Sequence, residues 1–141
     1  KALSLLNYRD RTTYELKRKL LEHKFDEKEI EYTVSRLVSE KYIDDDNFIS
    51  SYINYHKSSA SKAKIIQKLW LLGIPNELIQ TKINEIYPED EEYSSCLEAM
   101  TNKLRSPSCD REKLIRHLMY KGYKYSTVSQ VLRDHFPQEK N

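Results

Sequence analysis

Ser61-Lys62-Ala63-Lys64-Ile65-Ile66-Gln67-Lys68-Leu69-Trp70-Leu71-Leu72-Gly73-Ile74 reads as one complete helix with its start and its stop. Ser61 has the short side-chain oxygen that accepts from the free N–H groups of a first turn. Ile65 and Leu69, one turn apart, set an apolar stripe. Gly73 supplies the left-handed conformation that ends a helix, and Ile74 is the apolar residue that folds back onto the last turn. The fold is decided by the return of this reading 49 residues to either side. Thr12 and Asp110 repeat the cap, Leu16 with Leu20 and Leu114 with Leu118 repeat the stripe, and Gly122 followed by Tyr123 repeats the stop. Thr12 with Glu15 has the spacing of a capping box, where the other copies carry Lys64 and Lys113. In the first copy the stop falls on Lys24-Phe25, so Lys24 is expected either to be strained or to end its helix differently.

A second helix follows each stop, with Ile30, Ile79 and Val128, then Val34, Ile83 and Leu132, again at the 49-residue interval. The first copy continues through Leu37, Val38, Tyr42 and Ile43, whereas the second reaches Ile86 and Tyr87 and stops at Pro88. Copy one is therefore expected to be longer by about one turn. Acidic runs, Asp44-Asp45-Asp46-Asn47 before Phe48 and Glu89-Asp90-Glu91-Glu92 before Tyr93, open a further helix, because negative charge is stabilised at the positive end of the helix dipole. Its apolar side is read as Phe48, Tyr52 and Tyr55, matched by Tyr93, Leu97 and Met100. Residues Ala2 to Tyr8 read as the same lead helix ahead of the first copy. The expectation is an all-α, elongated, curved tandem repeat of three three-helix modules, about nine helices, divided at 1–43, 44–88 and 89–141. One such module cannot bury both of its apolar sides, so neighbours must stack.

Composition bounds the chemistry. Of 141 residues, 38% are hydrophobic and 33% charged, with two Gly and four Pro, a balance suited to short amphipathic helices. A net charge of +2 is not that of a polycation that coats DNA unaided. His23, His56, His117 and His135 have no ligand spacing, Cys96 and Cys109 have no Cys or His pair beside them, and both glycines are used as helix stops. No metal, cofactor or catalytic set is expected, and buried packing accounts for each Cys. With two Cys, no signal peptide and no run able to span a bilayer, the expected compartment is the cytoplasm, with no membrane partner. Tyr32, Tyr42, Tyr52, Tyr87 and Tyr93 fall at apolar helical positions and are assigned to core or inter-module packing.

Cations gather around each cap: Arg9, Arg11, Lys17 and Arg18 at the first, Lys57, Lys62, Lys64 and Lys68 at the second, and Lys113, Arg116, Lys121 and Lys124 at the third. Periodic placement can align them along one edge, a stripe that would meet phosphates or an acidic protein surface. An ordinary solvated face explains the same residues, and both readings stand.

The order of these motifs resembles a known family. Ala2-Leu3, Leu5-Leu6, Arg9-Asp10-Arg11-Thr12, Glu15-Leu16 and Lys19-Leu20 are similar to the opening of the RecX regulators of the RecA recombinase. The likeness continues through Tyr42-Ile43-Asp44-Asp45 with Phe48, through Ile65 and Leu69 into Leu72-Gly73-Ile74, and through Leu118-Met119-Tyr120-Lys121-Gly122-Tyr123. Lys24 and Lys41 stand where the family often has Gly, and residues 57–63 lack the Gly common in its basic linker, departures that concern turns. The resemblance implies a non-catalytic inhibitor that binds in the groove of a RecA–DNA filament and restrains strand exchange and the DNA-damage (SOS) response. DNA would be met weakly or through the filament, by a monomer. Two other classes fit the helices: a stand-alone DNA-binding protein with helix-turn-helix-like modules, and a generic helical-repeat scaffold.

Overall fold

The structure, a computed structural model, describes residues 1–8 and 10–136, and among them it has nine helices and no strand. These are α1 (Ala2–Tyr8), α2 (Thr13–Glu22), α3 (Glu27–Ser39), α4 (Asp45–His56), α5 (Lys62–Leu71), α6 (Asn76–Ile86), α7 (Glu89–Lys103), α8 (Arg111–Tyr120) and α9 (Tyr125–His135). Thr12, Ser61 and Asp110 cap α2, α5 and α8, each accepting from the backbone N–H three residues on, and Glu15 completes the capping box by accepting from Thr12 N–H. The stops are three copies of one motif: Phe25 N–H reaches Leu20 O at 3.3 Å, Ile74 N–H reaches Leu69 O at 3.2 Å, and Tyr123 N–H reaches Leu118 O at 3.3 Å. Lys24 ends its helix in the same way, with φ +65 beside +82 at Gly73 and +94 at Gly122, so of the two expectations strain is the outcome. An L side chain there costs about 1 kcal/mol. Lys41, also at φ +65, ends α3 by the same device.

The apolar stripes close into three cores in chain order. Leu16, Leu20, Ile30 and Val34 gather with Leu37 and Ile43 in the first, Ile65, Leu69, Ile79 and Ile83 with Ile49 and Ile53 in the second, and Leu114, Leu118, Val128 and Leu132 with Cys96 and Met100 in the third. Each such side chain contributes about 1.5–3 kcal/mol by leaving water. Two details differ from the sequence reading. Helix α3 has 13 residues against 11 in α6 and α9, a gain of two rather than a full turn. In α4 the fully buried row is Ile49 and Ile53, with Phe48 and Tyr52 half-buried beside it and Tyr55 exposed. Both rows keep helical spacing, and ring size does not say which of two adjacent rows faces inward. Tyr87 is buried and Tyr52 and Tyr93 half-buried, but Tyr32 and Tyr42 are exposed. Tyr32 lies two residues from buried Ile30, on the other side of α3, and the core place after α3 is taken by Ile43 instead of Tyr42.

Modules meet through a repeated joint. Thr12 Oγ1, while capping α2, donates to Leu72 O at 2.8 Å, and Ser61 Oγ, while capping α5, donates to Lys121 O at 2.8 Å. Donor and acceptor both step by 49 residues, so the two joints are the same contact made twice. Gly73 lies on the Tyr14 ring and Gly122 on Ser61, which is why the stop glycine of a stacked module has no room for a side chain. Acidic first turns complete each joint. Asp45 accepts from Thr13 N–H at 2.9 Å in one, and Glu89 meets Lys62 Nζ at 3.0 Å in the other.

Candidate partner-binding surface

The cation at each cap has a definite place. Arg11 is buried, and its Nε donates to Leu5 O at 3.2 Å, holding α1 against the start of α2. Lys62 is also drawn inward: its side chain is only 12% exposed, its ammonium faces Glu89 and Glu92, and it lies 5.9 Å from the centre of the Tyr87 ring. Lys17 pairs with Glu31, Lys57 with Glu91, and Lys124 with Glu89. Lys113 Nζ donates to Ser108 O, and Lys121 lends its carbonyl to the joint. Arg9 lies outside the described residues.

What remains is gathered on the outward faces of α2, α5 and α8. Arg18 stacks on Tyr14 with its Cζ 5.8 Å from the ring centre, and Lys64 Nζ stands 5.3 Å from that of Tyr120. Lys68, one turn beyond Lys64, and Arg116, at the repeat position of Arg18, are exposed on the same faces. Arg18, Lys64, Lys68 and Arg116 make no ion pair among the described residues. The structure therefore leaves part of the cation set outward on the first helix of each pair, with Arg18 and Arg116 at the same repeat position, and spends the rest on internal ties. Sequence reasoning missed the carboxylates responsible. The acidic runs were read as helix-start charge, yet Asp45, Glu89 and Glu91 each reach a partner outside their own helix.

Chemistry is sparse on this surface. Cys96 is buried, and burial pushes its thiol up to about 12, so at neutral pH it holds its proton and is a poor nucleophile. His117 is lowered by burial, then by Lys103 and Lys121. Among the described residues no group of three or more His, Cys, Asp or Glu is placed to hold a metal, and no helix is long and apolar enough to cross a membrane.

Glu92 is the most deeply buried charged side chain among the described residues, only 1% exposed at the start of α7. Burial raises its pKa, against the pull of Lys62 and Lys124 and with Glu89 adding to the rise. A carboxyl whose folded pKa lies above its unfolded one costs the fold its ionised form at neutral pH, and that cost is relieved as pH falls through the folded value. Glu92→Gln, which mimics the protonated form, is expected to melt higher than the wild type at neutral pH. That advantage should shrink toward zero by about pH 4, where an unperturbed glutamate is protonated. Thermal unfolding followed against pH checks this, and an advantage that does not change with pH would contradict it.

Three capped three-helix modules in a row, joined by one repeated contact, define this chain as an all-helical tandem-repeat protein. A family model described as RecX, first three-helix domain, matches residues 1–37. Over nearly its whole length the chain is similar to proteins named regulatory protein RecX. It is 30% identical over 140 residues to the regulatory protein RecX of Lactococcus lactis subsp. cremoris, which covers 93% of this chain and 52% of that protein. It is 27% identical to that of Clostridium acetobutylicum, over 98% of this chain and 68% of the relative. The chain thus spans about half the length of the Lactococcus relative. The crystal structure of RecX from Lactobacillus salivarius shares the fold with a TM-score of 0.80 at 21% identity, covering 94% of this chain and 90% of that one.

Proposed function

We propose that this chain is a non-catalytic regulator of a RecA-type recombinase. It binds along the groove of the recombinase–DNA filament and restrains strand exchange, and with it DNA repair and the damage response, in the cytoplasm. One observation supports this reading beyond the family: the two joints are equal, so the outward faces of α2, α5 and α8 recur by one repeated step along the chain. A partner that itself repeats, as a filament does, can be engaged at several points at once, which multiplies weak contacts into useful affinity.

Strand exchange by the recombinase, measured with and without a clear excess of this protein, tests the proposal. Slowing is expected, and unchanged kinetics would count against it. Charge reversal at Lys64, Lys68 and Arg116 together should weaken the inhibition about tenfold or more while leaving the helical content intact, since charged groups across an interface act mainly on encounter and partner choice. Lys62→Glu is unsuitable for this purpose, because it would break the internal ties to Glu89 and Glu92 and loosen the joint itself. Direct binding of naked DNA that falls steeply with salt and needs no recombinase would favour a stand-alone DNA-binding protein instead.

A further inference from the structure

Exposed apolar side chains occur singly on most proteins and need no account. Here one set recurs in all three copies. Leu21, Trp70 and Met119 are 49 residues apart, stand 49%, 63% and 41% exposed, and each lies in the last turn of α2, α5 or α8. Tyr32 and Tyr125 are equally exposed, but their counterparts are Thr81 and Gln130, and Asn76 and Glu27, so those exposures are not periodic. In the second and third copies the next residues, Leu71 and Tyr120, widen the apolar tip. The unpaired cations lie on the preceding turns of the same helices: Arg18 is three residues before Leu21, Arg116 three before Met119, and Lys68 three before Leu71. Residues three apart are neighbours on a helix surface, so each apolar tip has a cation at its side.

Resting on the regulatory reading above, we infer that Leu21, Trp70 and Met119 are the anchors by which successive modules seat on successive sites of a repeating protein partner. Each of those sites offers an apolar socket edged by carboxylates. Because the Thr12–Leu72 and Ser61–Lys121 contacts are the same joint, the three tips are related by the same step, which a partner of identical subunits can match. A nucleic acid strand fits less well. Leu21 and Met119 have no ring on which a base can stack, and Lys17, Lys57, Lys62 and Lys124 are already occupied by carboxylates. A Trp flanked by near-neutral contacts is the residue type that carries most of the energy in such interfaces.

Co-sedimentation with recombinase–DNA filaments, run beside naked DNA, tests the inference. Trp70→Ala should reduce retention about tenfold or more, as truncating an anchoring Trp does, and the Leu21→Ala/Trp70→Ala/Met119→Ala triple should abolish it. Tyr32→Ala and Tyr125→Ala should bind as the wild type does, with circular dichroism unchanged in every variant. Should a triple alanine variant lose helix, Trp70→Gln alone carries the test. Wild-type protein that fails to sediment with filaments overturns the regulatory reading and this inference together. Wild-type protein that sediments while the triple variant sediments equally well overturns the inference alone. So would equal losses in the two tyrosine controls, or a matching loss of binding to naked DNA.

Discussion

Gly73→Ala is expected to destabilise the chain by about 2–4 kcal/mol, from two costs that act together. At φ +82 any L side chain is strained, and a Cβ there falls on the Cβ and ring of Tyr14 in the preceding module. Tyr14 cannot move freely, since Arg18 stacks against it and the neighbouring Thr12 hydroxyl is bound to Leu72 O. Lys24 is the internal control. It has the same backbone conformation and already carries a side chain, so Lys24→Gly should relieve strain and raise stability, by about 1 kcal/mol or less. Chemical denaturation of both variants checks the pair. Equal and small effects at the two positions would mean that backbone strain alone matters and the joint is slack.

Leu69→Ala is expected to cost about 3–5 kcal/mol, the range for a buried leucine, because Leu69 is wholly buried in the second core and its truncation leaves a cavity there. Position in the array amplifies the effect. In a stacked repeat, stability is close to a sum of module and joint terms, so weakening the middle module removes support from both neighbours. Leu118→Ala removes a side chain equally buried in the third module, and leaves the first two modules with their joint intact. Leu69→Ala should therefore lower and broaden the whole unfolding transition, whereas Leu118→Ala should split off an early phase for the third module. Calorimetry, with hydrogen exchange to assign the phases, distinguishes the two. Identical single transitions would show that the three cores unfold as one unit.

The candidate surface was legible only in part. That cations cluster at each cap is visible in the chain, but Arg11, Lys17, Lys57, Lys62 and Lys124 serve the fold, and only the tertiary structure tells them from Arg18, Lys64, Lys68 and Arg116. A signal for Trp70 was present all along, as an apolar residue beside the buried Leu69 whose 49-residue counterparts, Leu21 and Met119, are also apolar. It is easily lost because apolar residues are presumed to belong to the core. In α4, Phe48 and Tyr52 do pack half-buried against the second core, whereas Tyr55 is exposed and the deepest row is Ile49 and Ile53.

By itself the sequence determined the caps at Thr12, Ser61 and Asp110, the stripes that follow, the left-handed stops and hence the three-module repeat. These depend on hydrogen bonds and side-chain spacing within a few residues, which neighbours along the chain suffice to specify. Only the tertiary structure decided that the Thr12 and Ser61 hydroxyls also bind carbonyls 60 residues away, and that Glu89 draws in Lys62 and Lys124 from 27 and 35 residues away. A short polar side chain carries the same local pattern whether it faces water or another module. Its partner is set by where the stacked cores place it, and so is the set of side chains left outside to meet a partner.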